Sequence, residues 1–215
     1  MSYNGQAQQD KFVLSVLQEK RDGYFVEIGS NHPIDINNTY LMESAYGWKG
    51  IMIEYSPEHM DSYKEHRPNS AHIFQDATTI NYKDLFINQN APAIIDYLQI
   101  DLEVSNRSTL RTLELLDEQV LDTYKFRTVT FEHDIYSGDH YNTRAKSREI
   151  FQKRGYILAF ADIHNRDPIY PYEDWYVHPD VVNMGYVSAL KERNEPRYVT
   201  NPTTGRSIDW CHIQY

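Results

Sequence analysis

The sequence has little cysteine, no long hydrophobic run and no excess of basic residues. Its single cysteine, Cys211, excludes a disulfide framework and a cluster of thiolate metal ligands within one chain. No apolar stretch approaches the roughly 20 residues of a membrane span, and residues 1–10 are polar where a signal peptide would be charged and then apolar. We therefore expect a cytoplasmic protein without a membrane partner.

The charge balance is acidic, with 21 Lys and Arg against 31 Asp and Glu and a formal net charge of −10. A protein that follows phosphate backbones needs clustered basic side chains. One such run, residues 143–154, is most simply a solvated helix face, and a nucleic-acid enzyme would depend on it. We expect no nucleic-acid partner, and a small-molecule or glycan acceptor suits the charge better.

The hydrophobic pattern alternates short strands with amphipathic helices, which is typical of a doubly wound α/β fold. A chain of 215 residues with 40% hydrophobic content supports one core, so we expect a single domain over 1–215. A lead-in helix lies within 1–22 and a tail runs from about 192 to 215. The predicted strands are 24–28, 50–53, 71–75, 93–100, 126–131, 155–160 and an antiparallel 172–177.

The first predicted strand ends in Glu27 and is followed by Gly29, Ser30 and Asn31. Ligands of open α/β sheets bind beyond the carboxyl ends of the strands. A dinucleotide site would need G-x-G-x-x-G for its pyrophosphate, and here Gly29 stands alone. S-adenosylmethionine carries no phosphate, so it fits this loop better than NAD. The pattern leaves open that Glu27 is merely a strand-end acid.

Acidic residues also follow the later strands. Glu54 ends the second strand, where it can accept hydrogen bonds from ribose hydroxyls, and Asp76-Ala77 follows the third, where the aspartate can meet an adenine amino group or simply form a turn. Asp101 closes the fourth strand. Glu132-His133-Asp134 ends the fifth, and three consecutive ionisable side chains favour a cleft over a core.

Five segments form an ordered set: Phe25–Asn31, Asn38–Glu43, Gly47–Glu54, Ile100–Glu103 and Phe131–His133. Together they resemble the FkbM-type family of S-adenosylmethionine-dependent methyltransferases, over residues 23–155. The resemblance implies a Rossmann-like class I methyltransferase fold, with a seven-stranded, mostly parallel sheet whose last strand is antiparallel. It also implies a transferase that O-methylates sugars or small natural products.

The strand-end pattern and the resemblance together predict the residues of an S-adenosylmethionine site: Glu27, Gly29, Ser30, Asn31, Thr39, Glu54, Tyr55, Asp76, Ala77 and Asp101. The chain departs from the family at three places: His32-Pro33 replaces Asp-Gly, Tyr55-Ser56-Pro57 follows Glu54 where a proline often follows the acid directly, and residues 104–106 replace Gly-Ala-Glu or similar. The resemblance therefore implies cofactor binding more strongly than turnover.

Asp101, Glu132 and His133 are the predicted catalytic residues. They fall where catechol O-methyltransferase-like enzymes gather ligands for magnesium, so we expect either a site for Mg²⁺ or Mn²⁺ or a base cluster in which His133 takes the acceptor's proton. The alternative is that Glu132 and His133 hold loops through hydrogen bonds. A catalytically silent cofactor-binding protein and a partner-binding scaffold are the rival functions, and a homodimer is compatible with the sequence.

Overall fold

The chain forms a sheet covered by helices on both faces, in a computed structural model that describes residues 3–164, 170–193, 197–200 and 207–210. The strands of this sheet are Tyr24–Ile28 (β1), Lys49–Glu54 (β2), Ala71–Phe74 (β3), Ile94–Ile100 (β4), Lys125–Glu132 (β5), Ile157–Ile163 (β6) and Glu173–Val177 (β7). The helices are Gln9–Val16 (α1), Tyr40–Tyr46 (α2), Met60–His66 (α3), Tyr82–Asn88 (α4), Ser108–Gln119 (α5), Thr143–Lys153 (α6) and Met184–Glu192 (α7).

The strand order is β3-β2-β1-β4-β5-β7-β6. β7 runs antiparallel to both of its neighbours, while the pairs among β1 to β5 are parallel. The order reverses between β1 and β4, and at such a switch point the connections leave in opposite directions and open a crevice at the carboxyl ends of the strands. This confirms the predicted doubly wound sheet of seven strands with its last strand antiparallel.

Alternation along the strands divides the core into two clusters, one on each face of the sheet. The first face carries Phe25 of β1 and is covered by α1, α2 and α7 through Phe12, Met42 and Val187. The second face carries Val26 and Ile28 and is covered by α4, α5 and α6 through Phe86, Leu113 and Phe151. Glu27 shares the parity of Phe25, so its carboxyl group lies on the first face.

The sequence pattern missed two helices, α4 and α7. Each buries two hydrophobic side chains, Tyr82 and Phe86 in α4 and Val187 and Leu190 in α7, which is too few for a clear helical period. Within the predicted tail, Arg197–Thr200 (β8) and Ser207–Trp210 (β9) pair antiparallel. Cys211 lies outside the described residues. No helix in the described ranges is long and apolar enough to cross a bilayer.

Candidate functional site

Two neighbouring clefts open at the carboxyl ends of the central strands. The larger has a volume of about 800 Å³, and the predicted residues that line it are Glu27, Gly29, Ser30, Asn31, Glu54, Asp101 and Glu132. The smaller has about 290 Å³ and is lined by Tyr55, Asp76 and Ala77. Leu102 and Glu103 line both. The two clefts therefore adjoin at these two residues.

Gly29 makes the sharp turn at the tip of β1. Its φ is +82°, and a Cβ at this position would lie 1.7 Å from the carbonyl oxygen of Asp101. The next residues are fixed as well: Asn31 donates its backbone N–H to Glu54 Oε2 at 2.8 Å, and the hydroxyl oxygen of Tyr63 lies 2.8 Å from Ser30 Oγ and 2.6 Å from the Asn31 carbonyl oxygen. A single glycine is therefore enough to form this turn, because side chains hold the residues that follow it.

Thr39 lies behind the cleft and does not line it. Its hydroxyl donates to Glu27 Oε2 at 2.8 Å, and Asn37 Nδ2 donates to the same oxygen at 3.2 Å. The fully buried Arg67 donates in turn to Thr39 Oγ1 at 2.6 Å and to Asn37 Oδ1 at 2.8 Å. The predicted cofactor residue Thr39 thus orients Glu27, and Arg67 positions both side chains that hold it.

Arg67 is also paired with a buried carboxylate, since its Nε donates to Glu43 Oε2 at 2.9 Å. We expect Arg67→Met to lower the free energy of unfolding by about 3 kcal/mol, because it leaves Glu43 buried without its cation. Urea denaturation measures this loss. Arg107→Met is the control, since Arg107 pairs with Glu114 at the surface and should change stability by about 0.5 kcal/mol or less. An Arg67→Met chain as stable as the unmodified one would contradict the expectation.

A chain of amides leads from the loop after β1 to Asp101. Asn38 Nδ2 donates to Gln99 Oε1 at 2.8 Å, and Gln99 Nε2 donates to Asp101 Oδ2 at 3.4 Å. Asn38 Oδ1, the other end of this amide, is buried against Gly5 and accepts no hydrogen bond. Glu27 Oε1 is likewise buried without a partner. Both residues line the larger cleft, but these two oxygens are covered by the protein.

Asp101 and Glu132 are hydrogen-bonded to each other at the floor of the larger cleft. Burial raises the pKa of Glu132 far above its usual range, and the charge of Asp101 raises it further. Burial also raises the pKa of Asp101, but the hydrogen bond from Glu132 opposes that rise. Within the pair Glu132 is the member that keeps its proton and donates it, and Asp101 is the member that ionises first.

Two further acids are buried on the same face of the sheet. Burial raises the pKa of Glu27 to about 7, against the opposing charge of Arg67. Burial likewise raises the pKa of Glu173 to about 8, although Gln9 Nε2 donates to its Oε2 at 2.9 Å. Both side chains take up protons when the chain folds at neutral pH.

This proton uptake sets the pH dependence of stability. The pKa values of Glu27 and Glu173 in the folded chain exceed the unfolded value of about 4.5. Their contribution to stability is therefore complete below pH 4.5 and is lost as the pH rises through 7 and 8. We expect the free energy of unfolding to fall on the order of 6 kcal/mol between pH 5 and 8. Urea titrations across this range measure it. Glu173→Gln should flatten the curve, and an unchanged slope would exclude Glu173 as its source.

His133 does not join Asp101 and Glu132, so the predicted trio is not brought together. Consecutive residues at the end of a strand point to opposite faces, and Glu132 lies on the first face while His133 lies on the second. His133 Nε2 is 3.5 Å from Asp162 Oδ1 and 3.5 Å from Asp174 Oδ1. In the described residues, these three form the group whose ligand atoms lie within 4.8 Å of one another.

This second group is neutralised by arginines of α6. Arg144 Nε donates to Asp162 Oδ1 at 2.7 Å, and its Nη2 bonds the other oxygen. Arg148 donates to Asp174 at 2.7 and 2.8 Å. Burial alone would raise the pKa of Asp174, but Arg148 and His133 outweigh it and lower the value. Two guanidinium groups already occupy the carboxylates, so the group does not suit a divalent cation, and the basic helix is not simply a solvated face.

Several residues of the site gave little signal in the sequence. Gln99 and Asn38 are polar residues that meet across 61 positions, and Arg67 contacts the loop after β1 across about 30. Burying a polar residue inside an apolar strand is costly unless the residue is paired. The sequence could therefore have indicated a role for Gln99, which lies two residues before Asp101 on the same face of the strand. Asp134 lines the larger cleft while His133 does not, because the backbone turns at Asp134 with φ of +46°.

No protein-family model and no curated protein matches the sequence. Among solved structures, a candidate rRNA methylase from Clostridium thermocellum aligns over 82% of this chain and 98% of its own, with 12% identity and a TM-score of 0.53. A TehB-like SAM-dependent methyltransferase from Corynebacterium glutamicum aligns over 82% and 89%, with 12% identity and a TM-score of 0.50. A candidate RNA methyltransferase from Pyrococcus horikoshii aligns over 79% and 80%, with 11% identity and a TM-score of 0.50.

At these identities the likeness concerns the fold, and it agrees with the strand order and with the antiparallel β7. The chain has the Rossmann-like fold of the class I methyltransferases.

Proposed function

We propose that the chain is an S-adenosylmethionine-dependent methyltransferase that methylates a hydroxyl group of a sugar, glycan or other small molecule. The observation that carries the proposal is the pair of adjoining clefts that share Leu102 and Glu103, with Gly29 and Glu54 lining the larger and Asp76 lining the smaller. Such a shape suits an amino-acid portion in the larger cleft and a nucleobase in the smaller.

The chain's own residues fit the cofactor at three points. Glu27 lines the larger cleft, and its carboxyl group suits an ammonium group. Each carboxylate oxygen of Glu54 accepts one backbone N–H, from Asn31 and Ser56, and keeps a lone pair for a ribose hydroxyl. Asp76 caps the turn after β3 through Thr78 and lines the smaller cleft, where it suits an adenine amino group.

Asp101 is the proposed proton acceptor. The bound methyl donor would supply a methyl group activated by a sulfonium. The acceptor hydroxyl gives its proton to the Asp101 carboxylate, its oxygen forms the new C–O bond, and the electrons of the broken C–S bond stay on sulfur as a thioether. Glu132 keeps its proton and holds Asp101 in place. We also propose Asp101 and Glu132 as the residues that would hold Mg²⁺ or Mn²⁺ if the enzyme uses one.

Calorimetric titration with S-adenosylmethionine and S-adenosylhomocysteine tests the cofactor assignment. We expect binding without added metal, and binding about 10 to 100 times weaker in Glu54→Ala, because charge-assisted hydrogen bonds to the ribose are lost. Glu58→Ala is the matched control: Glu58 lies four residues later in the 3₁₀ turn after β2 and is not a lining residue of either cleft. No binding with or without Mg²⁺ and Mn²⁺ would reject the methyltransferase proposal.

A further inference from the structure

We infer that His32 binds the carboxylate of the methyl donor through the N–H of its Nε2. The inference deepens the proposed function, on which it rests, by assigning a cofactor contact to a residue at which the chain departs from the family that it resembles. It depends on three observations: the hydrogen bonds that fix the tautomer of the ring, the contacts that hold the ring and its loop, and the donors that the larger cleft offers.

The imidazole of His32 lies in the loop after β1 and is held in one tautomer. Its Nδ1 accepts the backbone N–H of Asp35 at 2.8 Å and that of Ile34 at 3.2 Å. A neutral imidazole has one donor and one acceptor nitrogen, so the ring hydrogen is on Nε2. The described residues hydrogen-bond the ring only at Nδ1, and His32 lines the larger cleft. The Nε2–H is therefore available to a ligand there.

The ring and its loop are held in place before a ligand arrives. The ring of His32 meets that of His59 edge to face, with centroids 5.0 Å apart at an angle of 77°, and its side chain is 34% exposed. The next residue is fixed as well, because the carbonyl oxygen of Pro33 accepts a hydrogen bond from Nη1 of the buried Arg67 at 3.2 Å. A donor on a fixed loop binds a ligand with little ordering cost.

The larger cleft offers few other donors to a carboxylate. No lysine or arginine is among the described residues that line it, so the carboxylate of the methyl donor depends on neutral N–H and O–H groups. The side-chain amides of Gln9, Asn38 and Gln99 line the cleft, but each already donates to a protein oxygen. His32 lies three residues after Gly29, in the portion of the cleft that suits the amino-acid part of the cofactor.

Cofactor analogues test the inference on the full chain by calorimetric titration. S-adenosylhomocysteine carries the carboxylate, whereas S-adenosyl-3-thiopropylamine, its decarboxylated form, and 5′-methylthioadenosine lack it. In His32→Asn the shorter side chain can still accept the N–H groups of Ile34 and Asp35, as in an Asx turn, but the donor is withdrawn. We expect this variant to bind S-adenosylhomocysteine roughly tenfold more weakly and the two analogues as tightly as the unmodified chain does.

His59→Phe is the matched control. It keeps the ring contact with His32, and residue 59 does not line either cleft, so the affinities for all three compounds should stay unchanged. Two-bond ¹H–¹⁵N correlation spectra of the histidines add a readout of the contact itself, with the His32 signals assigned by their loss in His32→Asn. S-adenosylhomocysteine should shift the signal of the His32 Nε2–H, and the decarboxylated analogue should not.

Three results would overturn the inference alone. They are S-adenosylhomocysteine binding that is as tight in His32→Asn as in the unmodified chain, an equal loss of affinity for all three compounds in that variant, and a His32 spectrum in which Nδ1 carries the hydrogen. The equal loss would show that the variant damages the loop rather than a carboxylate contact. If the unmodified chain binds none of the three compounds, the proposed function fails and the inference fails with it.

Discussion

Replacing Gly29 with alanine is expected to abolish binding of the methyl donor and to destabilise the fold. A Cβ at this position would lie 1.7 Å from the Asp101 carbonyl oxygen and 2.8 Å from its carbonyl carbon. Those atoms are backbone atoms at the end of β4, so they cannot turn away as a flexible side chain would. Relief requires β1 and β4 to separate where the two clefts meet. We expect a loss of more than about 4 kcal/mol in the free energy of unfolding and no measurable cofactor binding.

Gly155→Ala is the matched control for this variant. Gly155 also has a left-handed backbone, with φ of +84°, but its Cβ would meet no atom closer than 3.6 Å. Alanine there incurs the conformational cost alone, about 1 kcal/mol, and leaves the clefts untouched. Thermal and urea unfolding of both variants, with cofactor titration, separate the two effects. Equal losses in the two variants, or normal cofactor binding by Gly29→Ala, would show that the approach of Asp101 does not control the site.

The strands of the sheet were predictable from the sequence where their pattern is local. β1, β2 and β4 are largely apolar runs with an acid at or just beyond the carboxyl end, Glu27, Glu54 and Asp101, and this signal is local. The antiparallel β7 was predicted from residues 172–177 together with the family resemblance, and the strand order that the structure adds is that of a doubly wound sheet. Helices α4 and α7 were missed because so few of their side chains are buried. Their position depends on neighbours that sequence periodicity does not reveal.

The candidate site was predictable only where a residue's direction follows from its strand. Glu27, Glu54 and Asp101 were placed in the larger cleft because each ends or follows a parallel strand. His133 was misplaced because the alternation of β5 continues one residue past Glu132 and directs the imidazole to the opposite face. Arg67 contacts Thr39, 28 positions earlier in the chain, and Asn38 contacts Gln99, 61 positions later. A single sequence does not indicate which distant residues pair.

Asp101→Asn is expected to reduce kcat by about 10² to 10⁴-fold, the range typical of a lost general base, while cofactor affinity changes little. Asparagine keeps the shape of the side chain and can still accept the bond that Glu132 donates to Asp101, but it cannot take the proton of the acceptor hydroxyl. Single-turnover rates with the best small-molecule acceptor, together with calorimetric cofactor titration, separate loss of chemistry from loss of binding.

Glu132→Gln distinguishes the two members of the pair. Because Glu132 is the protonated partner, a glutamine amide can replace its donated hydrogen bond, and kcat should fall by less than about tenfold. His133→Gln, on the opposite face, should lower stability through Asp162 and Asp174 while the folded protein keeps its rate. If Glu132→Gln instead showed the larger loss and Asp101→Asn kept its activity, the proton would pass to Glu132. In that case the rate would rise only as the pH approaches the high pKa of Glu132. The enzyme would then be nearly inactive at neutral pH, where Glu132 is protonated.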